Sequence, residues 1–449
     1  MTDSDPSREF ATDVVRKLRA AGYTALWAGG CVRDLLLERG AKDFDVATNA
    51  TPEQVRELFG KKRTLAVGQS FGVIIVLAPN RDAEQVEVAT FRTEGGYHDG
   101  RRPTQVVYST PEEDAQRRDF TINGMFYDPI EGQVHDYVGG QVDLQRRIVR
   151  AIGDPHERMT EDKLRMLRAV RFTATLGFDL DPATADAVRQ MAPELIVVSA
   201  ERIAQELRKV LAHRSRVQGY ELLAELGLLK VILPELAAGQ FVNPPVREGE
   251  APAEPHAREQ GRLQGVAQPE QIVETLRQLP ESASFELALA AILQQLSAPV
   301  QEPKTHQDLV GTVWAVARRL KLSADEMTAI VWLVGHLNQW NDAPSQTAAQ
   351  LKRVLAHPLS GDLRALVRAV RKAACLPLEP IDFVDEYAGR HSPDETNPRE
   401  LISGKDLIER GLAPGPRFKE LLDQVRDAQL NGEIASRPEA IRLLEQLVS

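Results

Sequence analysis

Residues 29–48 read GGCVRDLLLERGAKDFDVAT, and this stretch decides the fold. Its two glycines follow the apolar run YTALWA and precede VRDLLL, so the order predicts a strand, a glycine turn, a short helix and a second strand, FDVAT. Side chains alternate along a strand, which turns Asp43 and Asp45 to one face and Phe44 and Val46 to the core. Two carboxylates a few ångströms apart repel unless one is protonated or a cation neutralises both. Mg²⁺ suits such a pair, because it takes one or two carboxylates together with phosphate oxygens and water. Exposed acids at a strand edge give the same pattern. The Gly29–Gly30 turn adds backbone N–H groups that suit a phosphate, and a phosphate turn beside a metal pair points to nucleotidyl transfer. A two-metal site asks for a third carboxylate, and Glu87 in QVEVATF meets that need. It fits equally as the outward half of an amphipathic strand.

Moving outward, the first 150 residues alternate short apolar runs (YTALWAG, FDVAT, GVIIVLA, QVEVATF, TINGMFYD) with turns and helical stretches. From about residue 155 the period becomes 3.6, in KLRMLRAVRFTATL, ERIAQELRKVLAH and YELLAELGLLKVILPEL. The fold class is therefore α+β: a mixed sheet with helices, then an all-α remainder. A chain of 449 residues is expected to hold about three domains. Residues 242–269 are rich in Pro, Gly, Glu and Ala without an apolar period, which predicts a surface loop or disordered insertion. No repeat of fixed period is present.

Two cysteines, Cys31 and Cys375, give no disulfide framework. The N-terminus has no apolar leader and no segment reaches 18 uninterrupted apolar residues, so a cytoplasmic protein with no membrane partner is expected. The net charge of −10 argues against indiscriminate coating of nucleic acid, but local balance differs. Residues 145–172 carry eight Arg or Lys against four acids. A polyanion-binding face and a solvated helix surface both fit.

Five segments carry a resemblance: GGCVRDLLLERGAKDFDVAT, VEVATFRTEGGYHDGRRP, RRDFTINGMFYD, DYVGGQVDLQRRIVRAIGDPHERMTEDKLRMLRAVRF and ERIAQELRKVL. In this order the chain resembles the bacterial class II tRNA nucleotidyltransferase and poly(A) polymerase family over residues 25 to about 215. The resemblance implies a polymerase-β-type nucleotidyltransferase head at 1–150, a helical neck at 151–216 for base recognition and RNA binding, a body at 217–378 and a tRNA-binding tail at 379–449. It makes Asp43 and Asp45 the catalytic pair that holds Mg²⁺, with Glu87 as the candidate third catalytic carboxylate from the two-metal argument. Gly29, Gly30, Arg33, Arg118, Asp119, Asn123 and Arg168 would bind the nucleotide, and Arg171, Arg208 and Lys209 the RNA.

In EDKLR, spacings of three and four on one helix bring Glu161 and Asp162 to Arg165. That is an ordinary salt bridge without context; by resemblance it is a protein template for bases. Cytosine and adenine pair an amino donor with a ring-nitrogen acceptor, whereas guanine and uracil place an acceptor at the amino position. A carboxylate beside a guanidinium accepts the first two and rejects the others, with Glu161 holding the arginine. TEGGYHDGRRP is expected to be a mobile loop, with Arg92, Asp99 and Arg102 as candidates for switching nucleotide choice. Gly124 stands where the family has Ala, and Lys163 where it often has Pro; little consequence is expected.

The helical remainder resembles a metal-dependent phosphohydrolase (HD) domain in which Gln294 and Gln295 replace the His-Asp dyad. No phosphohydrolase activity is expected, and His306 and His336 are read as structural. The tail, SGKDLIERGLAPGPRFKELLDQVRDAQLNGEI, offers a stiff connection at Pro414, Gly415 and Pro416 and the cations Lys405, Arg417 and Lys419 for RNA phosphates. The implied activity is addition of C and A to the tRNA 3′ end from CTP and ATP. A poly(A) polymerase and a CC-only or A-only enzyme share every motif. A non-catalytic RNA-binding relative and a phosphohydrolase are more distant alternatives.

Overall fold

The computed structural model describes residues 5–41, 43–68, 72–79, 83–97, 103–237, 269–297, 306–413 and 415–448. These form two compact units, one of residues 1–210 and 218–232 and one of 211–217 and 233–449.

The first unit opens with α1 (Pro6–Ala20), where the Asp5 carboxylate accepts from the Ser7 and Arg8 amides and Val14, Val15 and Leu18 turn inward. Then come β1 (Ala25–Ala28), α2 (Gly30–Leu36), β2 (Asp45–Thr48), α3 (Pro52–Phe59), β3 (Thr64–Gly68), β4 (Val73–Val76) and β5 (Val86–Thr90). Next are β6 (Arg92–Tyr97), β7 (Pro103–Tyr108), α4 (Pro111–Gln116), β8 (Phe126–Asp128) and β9 (Gln133–His135). The helices α5 (Gly140–Arg146), α6 (Pro155–Glu161), α7 (Arg165–Leu176), α8 (Pro182–Met191) and α9 (Ala200–Leu211) complete the part that bears on the site.

Seven strands form one sheet in the order β3-β4-β5-β2-β1-β8-β9. All pairings are antiparallel except β2 with β5, whose parallel register sets Asp45 opposite Glu87 and Val46 opposite Val88. Phe44, Val46, Val86 and Val88 are buried, so both strands turn their acids the other way. The α+β class and the mixed sheet expected from the alternation are present.

Four expectations need correction. The strand begins at Asp45, so Asp43 lies just before it rather than inside it. TEGGYHDGRRP was expected to be a loop, yet β6 and β7 pair antiparallel from Arg92↔Tyr108 to Tyr97↔Pro103; glycines read as loop are tolerated because this ribbon stands outside the main sheet. Asp99 and Arg102 lie outside the described residues. EDKLR is not on one helix: α6 ends at Glu161, Asp162 is extended (φ −145°) and α7 starts at Arg165. YELLAELGLLKVILPEL splits into short helices at Arg216–Glu225, Leu228–Ile232 and Pro234–Ala237, broken by Gly227 at φ 76° and by the proline.

In the second unit the described residues are helical. Leu287 to Leu293 of the helix Phe285–Leu293 are all buried, and Gln294 and Gln295 follow, also buried. His336 closes the helix Ala324–Gly335, with Nδ1 2.8 Å from the Trp332 carbonyl oxygen and its ring stacked on Trp332, which also stacks on His357 at 3.7 Å. The His306 side chain, Pro414 and residues 242–268 lie outside the described residues, while Pro269 opens the helix Pro269–Gln278. Ile402, Leu407, Leu421, Val425, Ala440 and Leu444 form the C-terminal core. No helix of the described residues is long and apolar enough to cross a membrane.

Two glycines show how tightly the head is packed. A Cβ on Gly124 would lie 2.7 Å from Val138 Cγ2 and 2.9 Å from Ile152 Cδ1, so these side chains occupy the space of the family's alanine methyl. On Gly140 it would lie 2.3 Å from the Thr121 carbonyl oxygen, a backbone atom that cannot rotate away. Gly140→Ala should therefore destabilise the protein by about 1–3 kcal/mol. Gly40→Ala, where nothing lies within 4 Å, should be near neutral, and urea unfolding of both variants checks the difference.

Candidate active site

The chain turns at Gly29, with φ 76° and ψ −129°, a conformation open to glycine and strained for other residues. No side chain caps α2 behind it. A Cβ on Gly29 would stand 3.1 Å from Arg118 Nη1, so the turn is bare where that guanidinium approaches it. The floor of a cleft of about 440 Å³ begins here.

Seven arginines line this cleft: Arg33, Arg117, Arg118, Arg165, Arg168, Arg171 and Arg202. Each is held by a carboxylate. Arg33 donates from Nε and Nη2 to Asp34, and from Nη1 to Asn123 Oδ1 at 2.8 Å. Arg168 donates to Asp119 Oδ2 from Nε at 2.7 Å and Nη2 at 2.5 Å. Arg171 Nε meets Glu206 at 2.6 Å, and Arg202 forms a fork with Asp162 at 3.1 and 2.7 Å. Arg33, Arg168 and Arg171 also surround the Phe172 ring, at 5.2, 5.3 and 4.0 Å from its centroid.

Asp119 is 7% exposed, and its other oxygen accepts from the Asn123 amide at 3.1 Å. Burial opposes its ionisation, but the charge and hydrogen bonds of Arg168 outweigh that and bring the carboxyl down to about 2. Asp119 and Asn123 thus line the cleft as its rigid wall, each committed to protein partners.

Arg165, with Glu161, and Asp162 are held separately. Arg165 Nη1 donates to Glu161 Oε2 at 2.5 Å and to the Arg158 carbonyl at 2.8 Å, and Nη2 donates to the Arg117 carbonyl at 2.9 Å. Glu161 therefore holds the arginine, as the sequence suggested. Asp162 does not meet Arg165 through its side chain; the break between α6 and α7 turns it to Arg202.

Asp45 lines the cleft and also an adjoining cavity of about 480 Å³ that contains Asp43, Gly30 and Arg33. Its side chain still reaches solvent. Even so, partial burial and then the charge of Glu87 push its carboxyl up to about 6, Asp43 adding and Arg118 opposing. Excess negative charge on facing strands is the environment a divalent cation neutralises. Among the described residues no three His, Cys, Asp or Glu side chains converge tightly enough to enclose a metal by themselves. This donor set is suited to a cation that also takes oxygens from its substrate.

Of the residues expected from sequence, the cleft gathers Gly29, Gly30, Arg33, Asp45, Arg118, Asp119, Asn123, Asp162, Arg165, Arg168 and Arg171. Asp43 lies in the adjoining cavity, Glu87 beside Asp45 in register, and Glu161 behind Arg165. Arg208 and Lys209 lie on α9 outside the cleft lining. Sequence reasoning missed Phe172, Arg202 and the buried Asp114. Only Asp114 left a local trace, three and four residues before the arginine pair.

The family model of the poly A polymerase head domain matches residues 25–150, and that described as "Probable RNA and SrmB-binding site of polymerase A" matches 177–239. A CCA-adding enzyme of Geobacillus stearothermophilus is 33% identical over 440 residues, covering 97% of this chain and 96% of its own length. One from Bacillus subtilis is 45% identical over 219 residues, 49% of this chain and 54% of that protein. The crystal structure of the Bacillus stearothermophilus CCA-adding enzyme in complex with CTP is 29% identical, covers 99% of this chain and 98% of its own, and superposes with a TM-score of 0.73.

Two outcomes follow from this geometry. Gly29→Ala should weaken nucleoside triphosphate binding about tenfold, because the added Cβ would stand 3.1 Å from Arg118 Nη1 and displace that guanidinium from the turn; equilibrium nucleotide titration measures it. The depressed Asp119 carboxyl contributes stability that is fully present above the ordinary carboxylate value and lost as pH falls through about 2. Asp119→Asn should therefore cost on the order of 2–3 kcal/mol at neutral pH. Denaturant midpoints should show the gap to the parent protein narrowing between about pH 4 and pH 2.

Proposed function

Since this chain belongs to the family of CCA-adding enzymes, nucleotidyltransferases with a poly A polymerase head, we propose that it adds C and A to the 3′ end of tRNA from CTP and ATP, releasing pyrophosphate. The observation that carries this activity is one arginine-lined cleft that holds both Asp45 and a separately held carboxylate and guanidinium, Asp162 and Arg165.

Asp162 accepts from the exocyclic amino group shared by cytosine and adenine, and Arg165 donates to the neighbouring ring nitrogen. Guanine and uracil place an acceptor against the carboxylate and are rejected. Arg118 and the Gly29–Gly30 turn take the triphosphate, and Arg33 and Arg168 shape its path from within the Phe172 cluster. Asp119 and Asn123 orient those arginines.

Asp43 and Asp45 would hold Mg²⁺ together with substrate oxygens, with Glu87 opposite Asp45 as the third carboxylate beside them. When bound, the cation favours ionisation of the attacking 3′-hydroxyl and neutralises charge on the departing pyrophosphate. The protein's own task is to keep three carboxylates close, and burial together with the charges of Glu87 and Asp43 raises the Asp45 carboxyl there.

The head occupies 1–150, the neck 151–216, the body 217–378 and the tail 379–449, with tRNA as the partner and the cytoplasm as the site of action. Arg208 and Lys209 contact RNA, and Arg171 acts at the cleft edge. Body and tail recognise tRNA by shape and backbone.

The deciding assay offers tRNA transcripts ending before C, after CC and after CCA, with one labelled nucleotide at a time. C, C and A should be added in turn and extension should stop; unlimited ATP incorporation into any RNA identifies a poly(A) polymerase instead. Asp43→Ala and Asp45→Ala should each lower incorporation by at least about a thousandfold with tRNA affinity by gel shift nearly unchanged. Retained incorporation would remove these residues from the metal site.

A further inference from the structure

We propose that Asp114 is a positioning residue that locks the triphosphate contact Arg118 and the base selector Arg165 into one unit. This rests on the roles assigned above to those two arginines.

Asp114 sits on α4, whose start is fixed by a reciprocal capping box between Thr110 and Glu113. Its side chain is buried, at 1% exposure, and its two oxygens are divided between neighbours. Oδ2 accepts from Arg118 Nε at 3.1 Å and Nη2 at 3.0 Å. Oδ1 accepts from Arg117 Nε at 3.0 Å and Nη2 at 2.7 Å, and from the Arg92 amide at 3.2 Å. One carboxylate therefore holds two guanidiniums in forks and the first residue of β6 by its backbone.

Both held arginines lead to the site. With Nε and Nη2 of Arg118 turned to Asp114, its Nη1 is the atom left beside Gly29. Arg117 works through its backbone: its carbonyl accepts from Arg165 Nη2 at 2.9 Å, on the side of Arg165 opposite the Glu161 clamp in the hydrogen-bond pattern. Arg117 Nε also donates to the Arg92 carbonyl at 2.9 Å, so Arg92 is bonded at both its amide and its carbonyl. The path from β6 through Asp114 and Arg117 to Arg165 is continuous and consists of hydrogen bonds of ordinary length.

A buried carboxylate that merely filled space would leave the nucleotide constants alone when replaced. A positioning carboxylate will not, since small misplacements of binding groups cost up to about a hundredfold. The test uses the full-length chain and tRNA ending in C or CC. Asp114→Asn, which keeps the shape and loses the charge, and Asp114→Ala should raise KM for both CTP and ATP by about ten- to a hundredfold. They should also raise UTP incorporation relative to CTP, with KM for tRNA unchanged. Arg118→Ala combined with Asp114→Ala should raise the nucleotide KM by less than the product of the two single effects, the non-additivity expected of groups acting together. Asp114→Asn remains informative if the alanine variant fails to fold. Multiplying effects in the double variant, or a lowered melting temperature with nucleotide KM and UTP discrimination intact, overturn the proposal. If the parent protein adds no nucleotide to tRNA, the assigned activity fails rather than this coupling.

Discussion

Seven guanidiniums facing one cleft would drive a folded protein apart unless something stood behind them. Two unit charges about 5 Å apart repel by roughly 3 kcal/mol at an effective dielectric near 20, and several such pairs would exceed the net stability of a typical domain. The structure answers with six carboxylates, Asp34, Asp114, Asp119, Glu161, Asp162 and Glu206, each paired with its arginine or arginines. The cleft is therefore close to neutral when empty, and its donors are already aimed. Preorganised dipoles of this kind stabilise charge without rearranging when the substrate arrives.

The same constraint explains the break at Asp162. On a continuous α-helix Glu161 and Asp162 would both lie near Arg165 and compete for it. Ending α6 at Glu161 and starting α7 at Arg165 gives the arginine to Glu161 and sends Asp162 to Arg202. Carboxylate and guanidinium are then held by different partners, as the proposed reading of a base with one donor and one acceptor requires. The cost is three residues, 162–164, outside both helices.

Much of this was legible in the sequence, and the limits have physical causes. Strand alternation marked Val46, Val86 and Val88 as inward and the acids beside them as outward, because a period of two needs only local information. That Asp45 and Glu87 would meet was a guess about register, since a parallel pair is fixed by a crossover of some 35 residues and not by neighbours. The β6–β7 ribbon was missed because its glycines signal turns wherever no sheet context says otherwise. Arg202 gave no warning: nothing in ERIAQEL distinguishes an arginine facing a distant aspartate from one facing water. Asp114 could have been noticed from its spacing to Arg117 and Arg118, but an acid at that distance from two arginines is usually a surface pair.

The parallel register of β2 and β5 also bears on which changes of length the gene can survive. Asp45 and Glu87 are opposed because each strand counts correctly from its own neighbours, not because the chain between them has a particular length. Insertions or deletions within 49–85 can alter a helix or a hairpin while leaving the opposed acids in place. A single codon gained or lost within β2 or β5 would instead turn a valine toward the catalytic face and bury a carboxylate. Length variation among descendants of this gene should therefore accumulate between the two strands and be purged from within them.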